Sequence, residues 1–209
     1  MRLYTFLTDP QLAGGTFNAL SFRAVRVIAR LQDGDAGLLG PADLALATEL
    51  TGRTDFTGIR DATEATFIAA RRGGKSLFAA ASATHAAALD YLDRLAPGEW
   101  ATSGLAAPNT RQAQVLLDYC RGFIEASPIL RGAVIRETST AIEFEHRTRI
   151  EVFGASHRTL RGYTFCHFVI DEAAQLRSEE SATPDVELAR AVRPALATLG
   201  GRLLVISSP

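Results

Sequence analysis

From Glu64 onward, short β-rich apolar runs alternate with helical stretches, and this alternation restricts the fold of the 209-residue chain more than any other feature. ATFIAA (65–70) predicts a short buried strand, and the alanine-rich stretch 75–95 predicts a helix stopped at Pro97-Gly98. WATSGLAAPN (100–109) predicts a second strand, and 110–126 a second helix that ends at Ser127-Pro128. AVIRE, AIEFEH and RIEVFGA are β-rich, the middle one alternating like an exposed hairpin. CHFVID (166–171) predicts a buried strand, 184–200 a helix interrupted by Pro194, and LLVISS (203–208) a last strand. Strands alternating with helices imply a mostly parallel sheet flanked by helices, with ligands at the carboxyl ends of its strands. Residues 1–60 differ: 21–32 and 41–50 read as amphipathic helices of a small helical, lid-like region, leaving 61–209 as the core.

The chemistry-bearing residues fall at those strand ends. Ala70-Arg71-Arg72-Gly73-Gly74-Lys75-Ser76 lies between a strand and a helix. In such a loop the glycines let successive backbone N–H groups turn toward phosphate oxygens. The lysine ammonium then reaches the β- and γ-phosphates, and the serine hydroxyl ligates Mg²⁺. Lys75 is the one lysine among 22 basic residues, the rest being arginine. The full pattern G-x-x-x-x-G-K-[ST] is not met, because Ala69 occupies its first glycine position. A bare Gly-Lys-Ser arises by chance in roughly one chain of this size in ten, so the setting has to carry the argument.

Phe168-Val169-Ile170-Asp171-Glu172 ends a buried strand in two carboxylates, which read either as a metal-supporting Asp171 with a water-polarising Glu172 or as an acidic helix start. Ser207-Ser208 at the last strand end read either as γ-phosphate sensors bridging to the neighbouring carboxylate or as an ordinary turn. Phosphate loop, acidic strand and hydroxyl strand end nevertheless occur in the order expected of one nucleotide site on a parallel sheet. The fold class expected is an α/β P-loop NTPase of ASCE/RecA-like type, binding ATP and Mg²⁺.

On the residues ARRGGKS, A-P-x-x-x-Q-A (107–113), LRGYTFCHFVIDEAA and the terminal ISSP, the chain resembles the N-terminal ATPase domain of phage terminase large subunits, over about residues 50–209. The resemblance implies that Arg72, Gly73, Gly74, Lys75 and Ser76 hold ATP, that Ser76 and Asp171 hold Mg²⁺, and that Glu172 is the catalytic carboxylate. It further implies Arg71 as an arginine acting in cis and Ser207 and Ser208 as a coupling motif; Arg158 and Arg161, in SHRTLRGY just before the acidic strand, read either as a finger reaching a neighbouring subunit's ATP in a ring or as solvated loop arginines. The partners implied are double-stranded DNA, a portal or procapsid, a small terminase subunit and a homo-oligomeric ring. The family continues into a nuclease domain after the coupling motif; this sequence stops there, so DNA cleavage is not expected of it.

A net charge of −1 excludes a cationic surface all round, although residues 131–161 hold six arginines against four glutamates and form a candidate DNA-facing stretch. No apolar run reaches the length of a membrane span, and two cysteines form no disulfide framework, so the host cytoplasm is the expected compartment. His85, His146 and His157 show no ligand spacing and read as structural, and Trp100 reads as core or rim. Two rival readings remain: a helicase-like P-loop fragment, and a nucleotide-binding assembly domain without turnover.

Overall fold

The computed structural model describes residues 1–70, 72–154, 160, 162–176 and 184–209. The chain divides into two compact units, Met1–Thr63 and Glu64–Pro209. The first is helical, with α1 (Leu3–Thr8), α2 (Gly14–Phe17), α3 (Arg23–Gln32) and α4 (Pro41–Thr51). Leu3, Phe6, Leu7, Phe17 and Val27 are buried in its core. The orphan amides at the start of α1 are satisfied from outside the helix: the Asp33 carboxylate accepts from Leu3 N at 3.2 Å and Tyr4 N at 2.8 Å. α4 has Pro41 in its first turn and closes on Gly52 at φ 67, the left-handed conformation glycine takes without strain.

The second unit is built on one seven-stranded sheet of order β1-β7-β6-β2-β5-β4-β3. Its strands are β1 (Glu64–Ile68), β2 (Ala101–Ala106), β3 (Val134–Glu137), β4 (Ala141–Phe144), β5 (Thr148–Phe153), β6 (Thr164–Ile170) and β7 (Arg202–Ser207). The pairs β1–β7, β7–β6, β6–β2 and β2–β5 are parallel, while β5–β4 and β4–β3 are antiparallel. The helices are α5 (Lys75–Ala87), α6 (Thr110–Ala126), α7 (Pro128–Gly132) and α8 (Pro184–Ala197). Phe168 and Ile170 pack with Leu188 and Val192 of α8. His167, at the opposite phase of the same strand, reaches Ser82 of α5. Helices therefore cover both faces, as the expected fold class requires. α6 begins where its sequence says it should, because Asn109 caps it by accepting from Gln112 N at 2.9 Å.

Four local expectations change. α5 stops at Ala87 instead of running to Leu95, because Asp90 accepts from Leu92 N at 2.9 Å and turns the chain into a 3-10 segment. α8 runs through Pro194, which lies on an exposed side of the helix; exposed Arg190, the residue whose carbonyl loses its bond, can give that carbonyl to water. Pro128 does not merely stop α6 but opens α7, whose N-cap Ser127 accepts from Leu130 N. β1 is not buried: its residues alternate between exposed and half-buried and Ile68 is 63% exposed, since among the described residues it pairs with β7 alone.

Gly104 in the middle of β2 sets how closely the core packs there. A Cβ at this position would overlap the Phe168 ring and lie 3.1 Å from that of Phe165, and those two rings pack edge to face at a centroid distance of 4.9 Å. Phe168 and Phe165 are fully buried and have nowhere to move. Gly104→Ala is expected to destabilise the protein by about 1–3 kcal/mol, the usual cost of overpacking, read as a lower denaturation midpoint at unchanged slope.

Candidate active site

The phosphate-loop residues form a tight turn between β1 and α5. Ala69 N donates to Ser207 O at 3.1 Å, extending the β1–β7 pairing past the strand end. The turn then closes with Gly73 N donating to Ala70 O at 3.0 Å. Gly74 follows at φ 77, and Arg72 is also in the left-handed region at φ 64. Phe78 N donates to Gly74 O at 2.9 Å, so helix α5 starts immediately and Lys75 and Ser76 lie in its first turn. Here the first four amides lack intrahelical partners and the helix dipole favours an anion. Arg71 lies outside the described residues, as do Arg158 and Arg161.

Three strand ends meet at Lys75. The buried ammonium donates to Ser208 Oγ at 2.9 Å and lies 3.3 Å from Glu172 Oε1. Ser208 completes the cluster by donating its hydroxyl to Glu172 Oε1 at 3.0 Å and its backbone N–H to Oε2 at 3.1 Å. Ser207 Oγ accepts from Ala174 N at 3.4 Å and donates to Ser208 O at 3.1 Å, holding the β7 end against the turn after β6. Glu172 has φ 47, a conformation that costs a non-glycine residue roughly 1–3 kcal/mol and persists only where the surroundings enforce it. Here the restraints are the Ser208 and Lys75 contacts, which the unusual backbone lets the carboxylate reach.

The two carboxylates are tuned in opposite directions. Burial pushes Asp171 up to about 6; the donated Glu172 N–H, at 2.8 Å, works against this, the Glu172 charge adds to it and Lys75 opposes it. Burial also works to raise Glu172, but the Ser208 N–H, the Lys75 ammonium and the Ser208 hydroxyl outweigh it and hold this carboxyl below its ordinary value. Glu172 is therefore ionised at neutral pH, while Asp171 is poised to take a proton under mildly acidic conditions. Among the described residues no group of three His, Cys, Asp or Glu side chains could hold a metal by itself. Asp171 and the half-buried Ser76 nevertheless suit Mg²⁺, which takes one or two protein ligands and fills its shell with phosphate oxygens and water.

Two supporting residues escaped the sequence reading. Gln175 Nε2 lies 3.4 Å from Glu172 Oε2, three residues along the turn. His167, fully buried on β6, shares a hydrogen bond of 2.9 Å with Ser82 of α5, joining the acidic strand to the helix that follows the loop. Burial first, then the positive charges of Arg202 and His85, push His167 down to about 3, so it is neutral at working pH. The available signal was a polar residue in an otherwise apolar strand, facing the one serine in an alanine run. Among the other histidines named from sequence, His85 is buried and His146 exposed, while His157 lies outside the described residues. Both cysteines are buried with thiols pushed up to about 12, and Trp100 is a half-buried rim residue 5.8 Å from the Arg149 guanidinium. The arginine-rich stretch is partly neutralised, with Arg149 paired to Glu151 at 3.1 Å and Arg136 to Glu143 at 3.8 Å.

The raised Asp171 carboxyl has a definite sign in a stability measurement. Its folded value lies above its unfolded one, so the ionised group is a cost at neutral pH that disappears as pH falls through about 6 toward the ordinary carboxylate range. Asp171→Asn is expected to raise stability above pH 6, and the gain should shrink steadily on acidification. Denaturation curves of both proteins across that range measure it; a gain independent of pH would contradict the assignment.

The second unit has a fold of P-loop type: an α/β, mostly parallel sheet with the loop, the acidic strand and the hydroxyl strand end on neighbouring strands. Among solved structures, the ATPase domain of the Thermus phage P74-26 large terminase is similar at 19% identity and a TM-score of 0.51, over 78% of this chain and 68% of that one. An arginine-to-alanine mutant of the same domain gives 18% identity and a TM-score of 0.50, over 70% of this chain and 59% of that one. The HK97 bacteriophage large terminase gives 19% and 0.52, over 81% of this chain but 33% of that one. At such identities the likeness is one of fold. No protein-family model and no curated protein matches the sequence. Among the described residues no helix is long and apolar enough to cross a membrane.

Proposed function

We propose that the chain is a Mg-ATP hydrolase that works as the ATPase domain of a double-stranded DNA packaging motor. The observation that carries the ATPase reading is the shared contact of Lys75, Glu172 and Ser208 at the ends of β1, β6 and β7. The packaging role rests on the fold likeness to large-terminase ATPase domains and on the motifs that resemble them.

In this reading the phosphates sit over the turn of Arg72, Gly73 and Gly74, with the first-turn amides of α5 and the Lys75 ammonium as donors. Ser76 and Asp171 would hold Mg²⁺, which would supply neutralisation of the charge building on the phosphate oxygens. Glu172, ionised and fixed by Ser208, orients the attacking water and takes its proton as the water oxygen bonds to the γ-phosphorus and the bond to the β–γ bridging oxygen breaks, releasing ADP. The γ-phosphate would compete with Glu172 for Lys75, so nucleotide state would reach Ser208 just past the end of β7. That is a coupling route for Ser207 and Ser208. Arg71 serves the same nucleotide in cis, and Arg158 or Arg161 that of a neighbouring subunit in a homo-oligomeric ring. DNA, a portal or procapsid and a small terminase subunit are the partners, in the host cytoplasm.

Glu172→Gln should keep or tighten ATP binding, because it frees Lys75 from its ion pair, and should cut turnover by about 10²–10⁴-fold. Lys75→Ala should abolish tight binding. Equilibrium binding and single-turnover hydrolysis of both variants test this; unchanged turnover in Glu172→Gln would favour an assembly domain without catalysis.

Turnover per subunit should climb with protein concentration, or on adding DNA and procapsid, as neighbours supply an arginine worth about 10³–10⁵ in rate. Arg158→Ala or Arg161→Ala should flatten that rise. A rate per subunit independent of concentration and partners, and indifferent to both substitutions, would leave the ring arginine without support.

A further inference from the structure

The first unit contains a cavity of about 330 Å³ lined by Tyr4, Arg23, Arg26, Arg30 and Asp43 along with apolar side chains. Arg23, Arg26 and Arg30 are spaced three and four residues apart on α3, which puts them on one helical face. Residues 1–63 hold six arginines against seven acids, so three arginines and one acid around a single cavity are a local concentration, not the unit's general character.

Each arginine is fixed differently. Arg23 Nε donates to Asp43 Oδ1 at 2.7 Å. Arg26 donates to the carbonyls of Phe17 and Ala19, the latter at 2.8 Å, and so ties the chain before α3 onto the helix. The Arg30 guanidinium carbon lies over the Tyr4 ring, 3.6 Å from its centroid. No carboxylate or carbonyl among the described residues accepts from Arg30, so its N–H donors are unspent on the protein. A planar, weakly hydrated fork with unspent donors, beside two other guanidinium groups, matches the oxygens of a phosphate better than any neutral ligand.

We propose that this cavity binds a phosphate group, either in the sugar–phosphate backbone of nucleic acid or in a small phosphate ester, with Arg30 as the main donor and Arg23 as the second. Arg26 mainly builds the wall. The proposal does not depend on the ATPase reading.

The test uses the full chain carrying Lys75→Ala, so that the phosphate loop contributes little. Inorganic phosphate is titrated while the arginine Nε–H resonances are followed, and a fluorescent DNA duplex is titrated by anisotropy at several salt concentrations. Arg30→Gln should weaken phosphate binding about tenfold, with Arg30→Lys recovering part of it through charge alone. If the backbone is the source, duplex affinity should also fall and its logarithmic salt slope should become shallower by about 0.9, one phosphate contact. Loss of phosphate binding with unchanged duplex affinity would assign the site to a small ester. Should Arg30→Gln fail to fold for want of its Tyr4 contact, Arg23→Gln carries the same test from a side chain that is 40% exposed. The proposal is overturned if the parent binds neither probe, or if folded Arg30→Gln and Arg23→Gln bind both as the parent does.

Discussion

The contact between Lys75 and Glu172 depends on a strand that lies between their own two. β7 pairs in parallel with β1 on one side and β6 on the other, with Ile206 beside Phe67 and Val205 beside Ile170. That register brings the loop, the acidic turn and the serine pair to the same height at one sheet end. Backbone pairing thus sets the 2.9 Å and 3.3 Å separations around the ammonium before any side-chain preference acts. An ion pair with side-chain exposures of 8% and 18% repays its desolvation only with good geometry and extra hydrogen bonds, and Ser208 supplies both.

The same arrangement accounts for the divergence of two adjacent carboxylates. Asp171 N donates to Ala106 O at 2.8 Å, so this residue is still held by β2 and its side chain stays in the sheet's buried margin. One residue later the left-handed backbone of Glu172 turns its carboxylate across β7 toward Lys75 and Ser208. One acid is left nearly unpaired and easily protonated, the other cationically paired and ionised. In the proposed function, opposite tuning of neighbouring acids would let one support a metal and its neighbour handle water.

Much of this was legible in the sequence, for reasons tied to particular residues. The stretches 41–50 and 110–126 read as helices close to the observed α4 and α6, and the apolar run from Phe168 to Ile170 announced a buried strand with acids at its end. The placement of β7 was not legible. Nothing in LLVISS says that the last strand in the chain inserts between the first and the sixth, and only that insertion makes Ser208 the bridge. Nor were α1 and α2 visible. α1 is one and a half turns long and its first amides are satisfied by Asp33, some thirty residues away, so no local pattern could announce it. The exposed face of β1 was missed because a short run such as ATFIAA reads the same whether one of its edges is paired or two.

His167 ties the helix after the phosphate loop to the acidic strand. A neutral imidazole bonded to Ser82 fixes α5 against β6 two turns beyond the phosphate loop, in a layer where the neighbouring α5 side chains are mostly alanines. Small side chains let helix and sheet approach closely, but they define no register along the helix axis. A single directional hydrogen bond does. Its Nδ1 has no partner among the described residues, a buried polar cost that burial of the neutral form keeps small relative to a charged one. The strand therefore gives up some stability at this position and gains a fixed alignment between Lys75 at the head of the helix and Glu172 just beyond the strand end.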